Sequence, residues 1–206
     1  MQLKLTSISS AARSFLVVAA CVAAPLFCAS SASADISGAV LAWGENTIYG
    51  QCTIPTAATS GVSAIAGGEQ HTIAVKAGAV LAWGDNTYRQ CTIPTAATSG
   101  VSAIAGGARH TIALKDGAVL AWGAGKTTGS SPNYGQSIVP TAAQSGVSAI
   151  AGGDYHTIAL KNGAVLAWGS NDYGQCTNPA AAHSGVTAIA SGSRHAIERH
   201  GSSHNQ

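Results

Sequence analysis

The feature that most constrains this chain is self-duplication with a period near forty residues. Ala-Trp-Gly recurs at Trp43, Trp83, Trp122 and Trp168, and a second block recurs around His71, His110, His156 and His195. The spacings are 39 or 40 residues, with one of 46 where an insertion falls. Residues 51–68 and 90–107 are identical. Units of this length cannot bury a hydrophobic face alone; they do so by stacking on their neighbours.

Within a unit the periodicity is that of short strands. In the second unit the candidates are Val62–Ala66, His71–Val75, Ala79–Trp83 and Gln90–Ile93, all rich in apolar and β-branched residues. Breakers separate them: Gly67-Gly68, Ala77-Gly78, Gly84-Asp85-Asn86 and Pro94. Lys-Asp-Gly at 115–117 and Lys-Asn-Gly at 161–163 are hairpin signals, because Asp-Gly and Asn-Gly tolerate positive φ. No helical period appears after residue 35. Four-stranded antiparallel units repeated in this way predict an all-β fold, a β-propeller of about four blades. The phase of the units splits one blade between the ends. Ala39–Trp43 reads as a third strand, and Val186–Ala190 with His195–Ile197 as a first and second. Pairing them closes a ring and removes two open edges.

The consensus Gly-Val-Ser-Ala-Ile-Ala-Gly-Gly-x-x-His-Thr-Ile-Ala-Leu-Lys-x-Gly-Ala-Val-Leu-Ala-Trp-Gly-x-Asn-x-Tyr-Gly-Gln resembles the regulator of chromosome condensation repeat, and the resemblance runs from Gly38 to Ile197. Pro-Thr-Ala-Ala-x-Ser-Gly-Val-Ser-Ala-Ile-Ala-Gly-Gly is similar to the short bacterial form of the unit, found in secreted propeller-type β-lactamase inhibitory proteins. The resemblance implies a propeller, seven-bladed in both relatives, and a binding rather than a chemical role. Here there are four repeats, and the last departs from the pattern at Glu198-Arg199-His200-Gly201. A closed four-bladed ring, an open fragment that dimerises and a truncated descendant of a longer gene all fit that count.

Residues 1–34 read as a secretory leader. Lys4 and Arg13 are its only charges, an apolar stretch runs from Phe15 to about Cys28, and Ala32-Ser33-Ala34 supplies a small-residue cleavage site. The apolar stretch is shorter than the roughly 20 residues a spanning helix needs. Val18-Ala19-Ala20-Cys21 imitates a lipobox, but cleavage there would cut the apolar segment in half. The expected organisation is therefore a leader at 1–34, a propeller at 35–197 and a disordered tail at 198–206, in a secreted or periplasmic protein. Without Lys4 and Arg13 the ten Lys and Arg residues fall to eight, matching eight Asp and Glu. A neutral chain with no basic patch is not expected to bind nucleic acid or an anionic membrane surface.

Function must be sought in sites, since a propeller hosts many activities. In antiparallel blades, loops 1–2 and 3–4 share one face, and loops 2–3 and 4–1 the other. The second face is monotonous, repeating Pro-Thr-Ala-Ala-Thr-Ser-Gly. The first varies and carries the insertion at 124–134 and all five Tyr. Tyr and Arg are favoured interface anchors. The candidate partner-binding set is Tyr49, Gln70, Tyr88, Arg89, Arg109, Tyr134, Asp154, Tyr155, Asp172, Tyr173 and Arg194. The expected partner is another protein, with a β-lactamase as the case the resemblance implies, and a second copy of the chain if the ring does not close.

Other constellations point to no chemistry. The four repeated His admit a ring of metal ligands or a framework histidine used once per blade; the framework reading is the expectation, with no metal and no cofactor. Cys52, Cys91 and Cys176 occupy one equivalent position, where the remaining unit has Ser137, and read as small buried residues with a free thiol. Gly125-Lys126-Thr127 imitates a phosphate loop, but Leu120 stands where the motif needs its first Gly. No catalytic residue is assigned. A lyase or glycan-active enzyme would have to draw its acids from Glu69, Asp154 and Asp172 on the variable face, and a purely structural role would use the open blade edges.

Overall fold

The computed structural model describes residues 17–21 and 38–201, so the cleavage point expected after Ala34 and the last five residues of the expected tail lie outside it. Three sheets of three antiparallel strands follow one another. They are β3 (Val62–Gly67), β4 (His71–Lys76) and β5 (Ala79–Gly84); β6 (Val101–Gly106), β7 (His110–Lys115) and β8 (Ala118–Gly123); and β9 (Val147–Gly152), β10 (His156–Lys161) and β11 (Ala164–Gly169). Two strands precede them, β1 (Val17–Cys21) and β2 (Val40–Gly44), paired parallel, and the hairpin β12 (Val186–Ser191) and β13 (Ala196–His200) follows. No helix among the described residues is long and apolar enough to cross a membrane.

The hairpins form as the turn chemistry predicts. Asp116 and Gly117 lie at φ 51° and 75°, and Asn162 and Gly163 at 50° and 75°, the geometry of a two-residue type I′ turn. Ala77 adopts the same φ, 49°, without the side chain that favours it. Each first strand carries a bulge at its Ser, or at Thr187 in β12, whose hydroxyl bonds back to the ladder: Ser63 to Val75 O at 3.2 Å, Ser102 to Leu114 O at 3.1 Å, Thr187 to Arg199 O at 3.0 Å.

The fourth strand of each blade does not form. After β5 the backbone turns on itself. Cys91 N donates to Asn86 Oδ1 (2.9 Å), Arg89 N to Asn86 O (3.0 Å) and Thr92 N to Arg89 O (3.1 Å). A 3-10 turn, Thr95–Ala97, then begins after Pro94. The Asn86 side chain takes Cys91 N and the Arg89 carbonyl takes Thr92 N, donors that a fourth strand would need, so the β-branched stretch Gln90–Ile93 stays out of the sheet. The blades are three-stranded.

The core lies between blades rather than within them. Ile73, Val75 and Val80 of the first blade pack on Val101, Ile104, Ala113 and Trp122 of the second, and Ile112, Leu114 and Val119 on Val147, Ile150 and Ala159 of the third. Each second strand is buried along its length, from His71 to Val75, His110 to Leu114 and His156 to Leu160.

The pairing expected to close the ring is not formed. The innermost strands pack in sequence, β3 on β6, β6 on β9 and β9 on β12, with no corresponding packing of β12 back on β3. Among the described residues β13 pairs with β12 alone, and β2 with β1. β1 packs on β3 as β4 packs on β6, so it takes the second-strand place beside β2 that β13 was expected to fill. The residues of β13 supply a reason. Glu198 and Arg199 stand where the other blades hold Ala74 and Val75, at 0% and 3% exposure, and charges at such positions resist burial. β13 also extends to His200, so residues 198–200, expected in the disordered tail, are strand.

Candidate functional site

The variable loops are fixed by backbone bonds to one another. The residue that opens loop 3–4 donates to loop 1–2 of its own blade: Asp85 N to Gln70 O (2.7 Å), Ala124 N to Arg109 O (2.8 Å) and Ser170 N to Tyr155 O (2.8 Å). The 1–2 loops are in turn stitched across blades, Ala108 N to Asp154 O and Asp154 N to Ser193 O, both at 3.1 Å. In three of the four Tyr-x-Gln segments the Gln then sets the Tyr: Gln90, Gln136 and Gln175 accept through Oε1 from Tyr88, Tyr134 and Tyr173 N, at 2.9, 2.9 and 2.8 Å, whereas Gln51 Oε1 is buried without a partner.

This scaffold brings the predicted residues into a row of inter-blade pairs, each 21 residues apart. Arg109 lies over the Tyr88 ring, 5.2 Å from its centroid, and donates to Tyr88 Oη at 3.2 Å. The Tyr134 and Tyr155 rings meet at 5.5 Å, tilted by 49°. Arg194 lies 4.7 Å over the Tyr173 ring. Tyr49 and Gln70 hold the same two positions in the first unit, but no hydrogen bond or ring contact joins them. Cation–π and tilted aromatic pairs of this kind are worth about 0.5–1.5 kcal/mol each, so the row is pre-arranged rather than loose.

The charges of the face are mostly engaged. Asp154 accepts from the Ser193 hydroxyl, and Asp172 from Ser170 Oγ at 3.3 Å. Glu69 lies 3.9 Å from Arg109 Nε, both partly exposed, a pair of small energetic weight. Burial raises the Asp85 carboxyl, but donors from Thr87 and Gln90 and the Arg109 charge outweigh it and hold the group below its ordinary value. For Arg109, burial works against the charge and the Tyr88, Tyr155 and Glu69 groups overcome it. Arg89 is exposed at φ 66°, where the other units place Gly50, Gly135 and Gly174 at 72°, 84° and 78°.

In the insertion, Gly125 N donates to Asn133 Oδ1 (2.9 Å) and Gln136 Nε2 to Pro132 O (2.7 Å). Gln136 lies where a Cβ on Gly125 would fall, so the Gly-Lys-Thr segment is a packed turn and offers no phosphate cradle.

The repeated His form a ladder beneath this face. His71 Nε2 meets Thr111 Oγ1 at 3.1 Å, His110 meets Thr157 at 3.0 Å and His156 meets Ser191 Oγ at 2.9 Å. Thr111 and Thr157 donate their hydroxyls to Gln90 and Gln136 O, so they accept from the rings, which fixes the Nε2–H tautomer for His71 and His110. Nδ1 is left buried without a partner in His71, His110 and His156. Burial lowers the His71 pKa to about 4 against the opposing charge of Asp85. Burial and the flanking His71 and His156 lower His110 to about 3, and burial also lowers His156. His195 is exposed. Three of the four repeated His are thus framework groups joining blades. The Cys position serves the loops: Cys91 and Cys176 donate through Sγ to Asp85 and Ser170 O at 3.2 Å, and Ser137 does the same to Ala124 O at 2.6 Å. Cys52, Cys91 and Cys176 are free, half-buried thiols. Burial pushes the Cys176 thiol up to about 11, and burial with the Asp85 charge takes Cys91 to about 12.

The residues of the row were legible in the sequence; their pairing was not, although the constant 21-residue offset between Tyr and its partner carried it. The sequence reading also missed Gln175 and Asn178, whose surroundings depend on a neighbouring strand.

Comparison with known proteins agrees with this geometry. The family model described as the regulator of chromosome condensation (RCC1) repeat matches residues 147–175. No curated protein matches the chain. Among solved structures, Prp20p from Saccharomyces cerevisiae superposes with a TM-score of 0.55 at 21% identity, over 66% of this chain and 42% of that one. Yeast RCC1 (Prp20) bound to Kap60 gives 0.55 and 21%, over 66% and 41%. Human WBSCR16 gives 0.51 and 22%, over 68% and 45%. The chain thus spans less than half the length of each. Prp20p is characterised for its binding to Gsp1p and histones. Identities this low speak to fold alone: the chain is an arc of β-propeller blades, with one stretch, residues 147–175, similar to the RCC1 repeat.

Proposed function

We propose that this protein is an exported interaction scaffold whose partner, another protein, docks on the Tyr- and Arg-bearing face. One observation carries the reading: four loop pairs at a constant offset line up across successive blades, three of them in direct contact, with Tyr constant on one side and Gln, Arg or Tyr on the other, on a frame that hardly varies. A rigid scaffold with variable, aromatic-rich loops on one face is the usual anatomy of a binding surface. Of the acids that a propeller enzyme would draw on, Asp154 and Asp172 accept hydroxyl bonds within the loops and Glu69 faces Arg109, which favours binding over turnover. The export part of the proposal rests on the leader pattern of residues 1–34, and the resemblance to secreted inhibitory propellers makes a class A β-lactamase the first partner to try.

The test is a titration of that enzyme, with cross-linking of extracellular proteins in parallel. It compares the wild type with a Tyr88→Ala, Tyr134→Ala, Tyr155→Ala, Tyr173→Ala variant of matched melting temperature. Loss of a saturable complex only in the variant supports the proposal. A complex that survives all four substitutions places the binding surface elsewhere and overturns it.

A further inference from the structure

The last blade joint differs from the internal ones by two missing side chains. At each internal joint one backbone carbonyl accepts two bonds from the next blade, a Thr hydroxyl and a Trp indole. Gln51 O takes Thr72 at 2.8 Å and Trp83 Nε1 at 2.9 Å; Gln90 O takes Thr111 at 2.8 Å and Trp122 at 2.9 Å; Gln136 O takes Thr157 at 3.0 Å and Trp168 at 2.9 Å. Gln175 is next in the series. Ala196 replaces the Thr, and among the described residues β13 has no third strand beside it to carry a Trp. A cavity of about 250 Å³ lies there, its walls including Ile158, Val165, Gln175, Asn178, Ala196 and Glu198. Ile158, Val165 and Asn178 are the equivalents of Ile112, Val119 and Val139, which pack in one cluster with Trp168 at the joint before.

The chain holds one Trp that is not seated. Trp43 is 49% exposed, on a strand whose sequence, Ala39-Val40-Leu41-Ala42-Trp43-Gly44, is that of β5, β8 and β11. The β12–β13 register reproduces that of β3–β4, with Ala196 opposite Ser191 as Thr72 is opposite Gly67. Carrying over the β4–β5 register sets Trp43 opposite Ala196 and Leu41 opposite Glu198. The chain's own β2 is not at hand. It is bridged to Val62 through Gly38, at the β3 end of an arc that runs β3, β6, β9, β12.

We infer that the cavity at β13 is a socket for Trp43 of a second copy of this chain, whose strand 40–44 completes the β12–β13 blade and joins protomers end to end. The indole N–H donates to Gln175 O, and the open edge of β13, where Ile197 is 53% exposed, is paired. Glu198 and Arg199 replace the Ala and the Val or Leu of the internal joints, so this joint is weaker than they are. In the full chain β1 pairs with the donor strand, so the donor is released when the segment preceding Ala34 is removed. That step rests on the leader reading; the socket does not.

The experiment separates the two. A synthetic peptide of residues 38–45, Gly-Ala-Val-Leu-Ala-Trp-Gly-Glu, is titrated into the full chain and followed by calorimetry. Saturable binding that weakens at least about tenfold when the peptide's Trp becomes Ala, and that tightens in an E198A/R199L chain, is expected. No binding, or binding indifferent to the Trp, overturns the socket. A protease site placed after Ala34 then allows the folded chain to be cut, with mass followed by light scattering. Growth beyond the monomer, blocked by excess peptide, is expected. A cut chain that stays monomeric overturns the assignment to a second copy, whatever the peptide does.

Discussion

The second strands of the internal blades and β13 of the last half-blade share a repeat position but not an environment. His110 and Thr111 are fully buried, His110 bonded to Thr157 of the next blade and Thr111 to His71 and Gln90 O of the blade before, beside the Trp-bearing strand. His195 and Ala196, at the same repeat positions, are exposed. The backbone pairing within the hairpin is the same in both. What differs is the third strand and the next blade. In a linear array each unit draws its burial from its neighbours, and among the described residues the β12–β13 hairpin has a neighbour on one side only. The residues differ accordingly: Ala196, Glu198 and Arg199 stand where the internal blades hold Thr, Ala and Val or Leu.

The sharpest way to probe this contrast is to remove the Trp at each end of the scale. Trp122 is 3% exposed and bonded to Gln90 O, whereas Trp43 is 49% exposed. Trp122→Ala should cost about 3–5 kcal/mol, the range for deleting a buried aromatic. Trp43→Ala should cost under about 1 kcal/mol. Urea unfolding of the two variants decides it; comparable losses would mean that the ends are as tightly packed as the interior.

Acid should separate the two regions next. His71, His110 and His156 are held neutral in the fold, with pKa values lowered, to about 4 for His71 and about 3 for His110. Their unfolded values lie near 6.5. Above that pH neither state is protonated and the rings add no pH dependence. As pH falls below it, the unfolded chain takes up protons that the folded chain refuses, so stability drops. The loss approaches about 3 kcal/mol for His71 by pH 4, at about 1.4 kcal/mol per pH unit. Asp85, whose carboxyl is lowered, loses its contribution only below the ordinary carboxylate range. A series of urea melts from pH 7 to 4 should therefore show declining stability, and His71→Gln should flatten it. A profile level between pH 6.5 and 4 would show that the orphaned Nδ1 atoms find acceptors on protonation.

How far the sequence could be read follows the same division. Strand positions, the type I′ turns at Asp116 and Asn162 and the one-sided variable face were all legible, because they rest on local chemistry repeated four times. The fourth strand was misjudged because Gln90–Ile93 has strand-like composition, while its Cys91 and Thr92 donors are captured by Asn86 and Arg89, loop contacts that composition does not display. Closure was left open by the sequence, because strand identity favours pairing the two ends while the burial that pairing requires of Glu198 and Arg199 opposes it. The candidate residues were chosen by type, since Tyr and Arg stand out in a chain so poor in both. Their pairing across blades needed the three-dimensional offset between one blade's loop 3–4 and the next blade's loop 1–2.

The smallest expected effects come from two residues held at positive φ. Ala77 sits at 49° where the other hairpins use Asp116 and Asn162, so Ala77→Asn should stabilise the fold by about 0.5–1 kcal/mol. Arg89 sits at 66° where the other units use Gly, and relieving it with Arg89→Gly should gain about 1 kcal/mol. The two sites are alike in strain and unlike in place. Ala77 lies on the monotonous face, and Arg89 projects from the variable one beside Tyr88. A costly conformation retained at a candidate site is a pointer to function when the alternative residue is one substitution away and is used by every sister unit. Thermal melts should therefore rise for both variants, while partner binding through the Tyr face should fall for Arg89→Gly alone. Equal binding by both would make Arg89 a tolerated drift of the loop and narrow the binding row to its aromatic pairs.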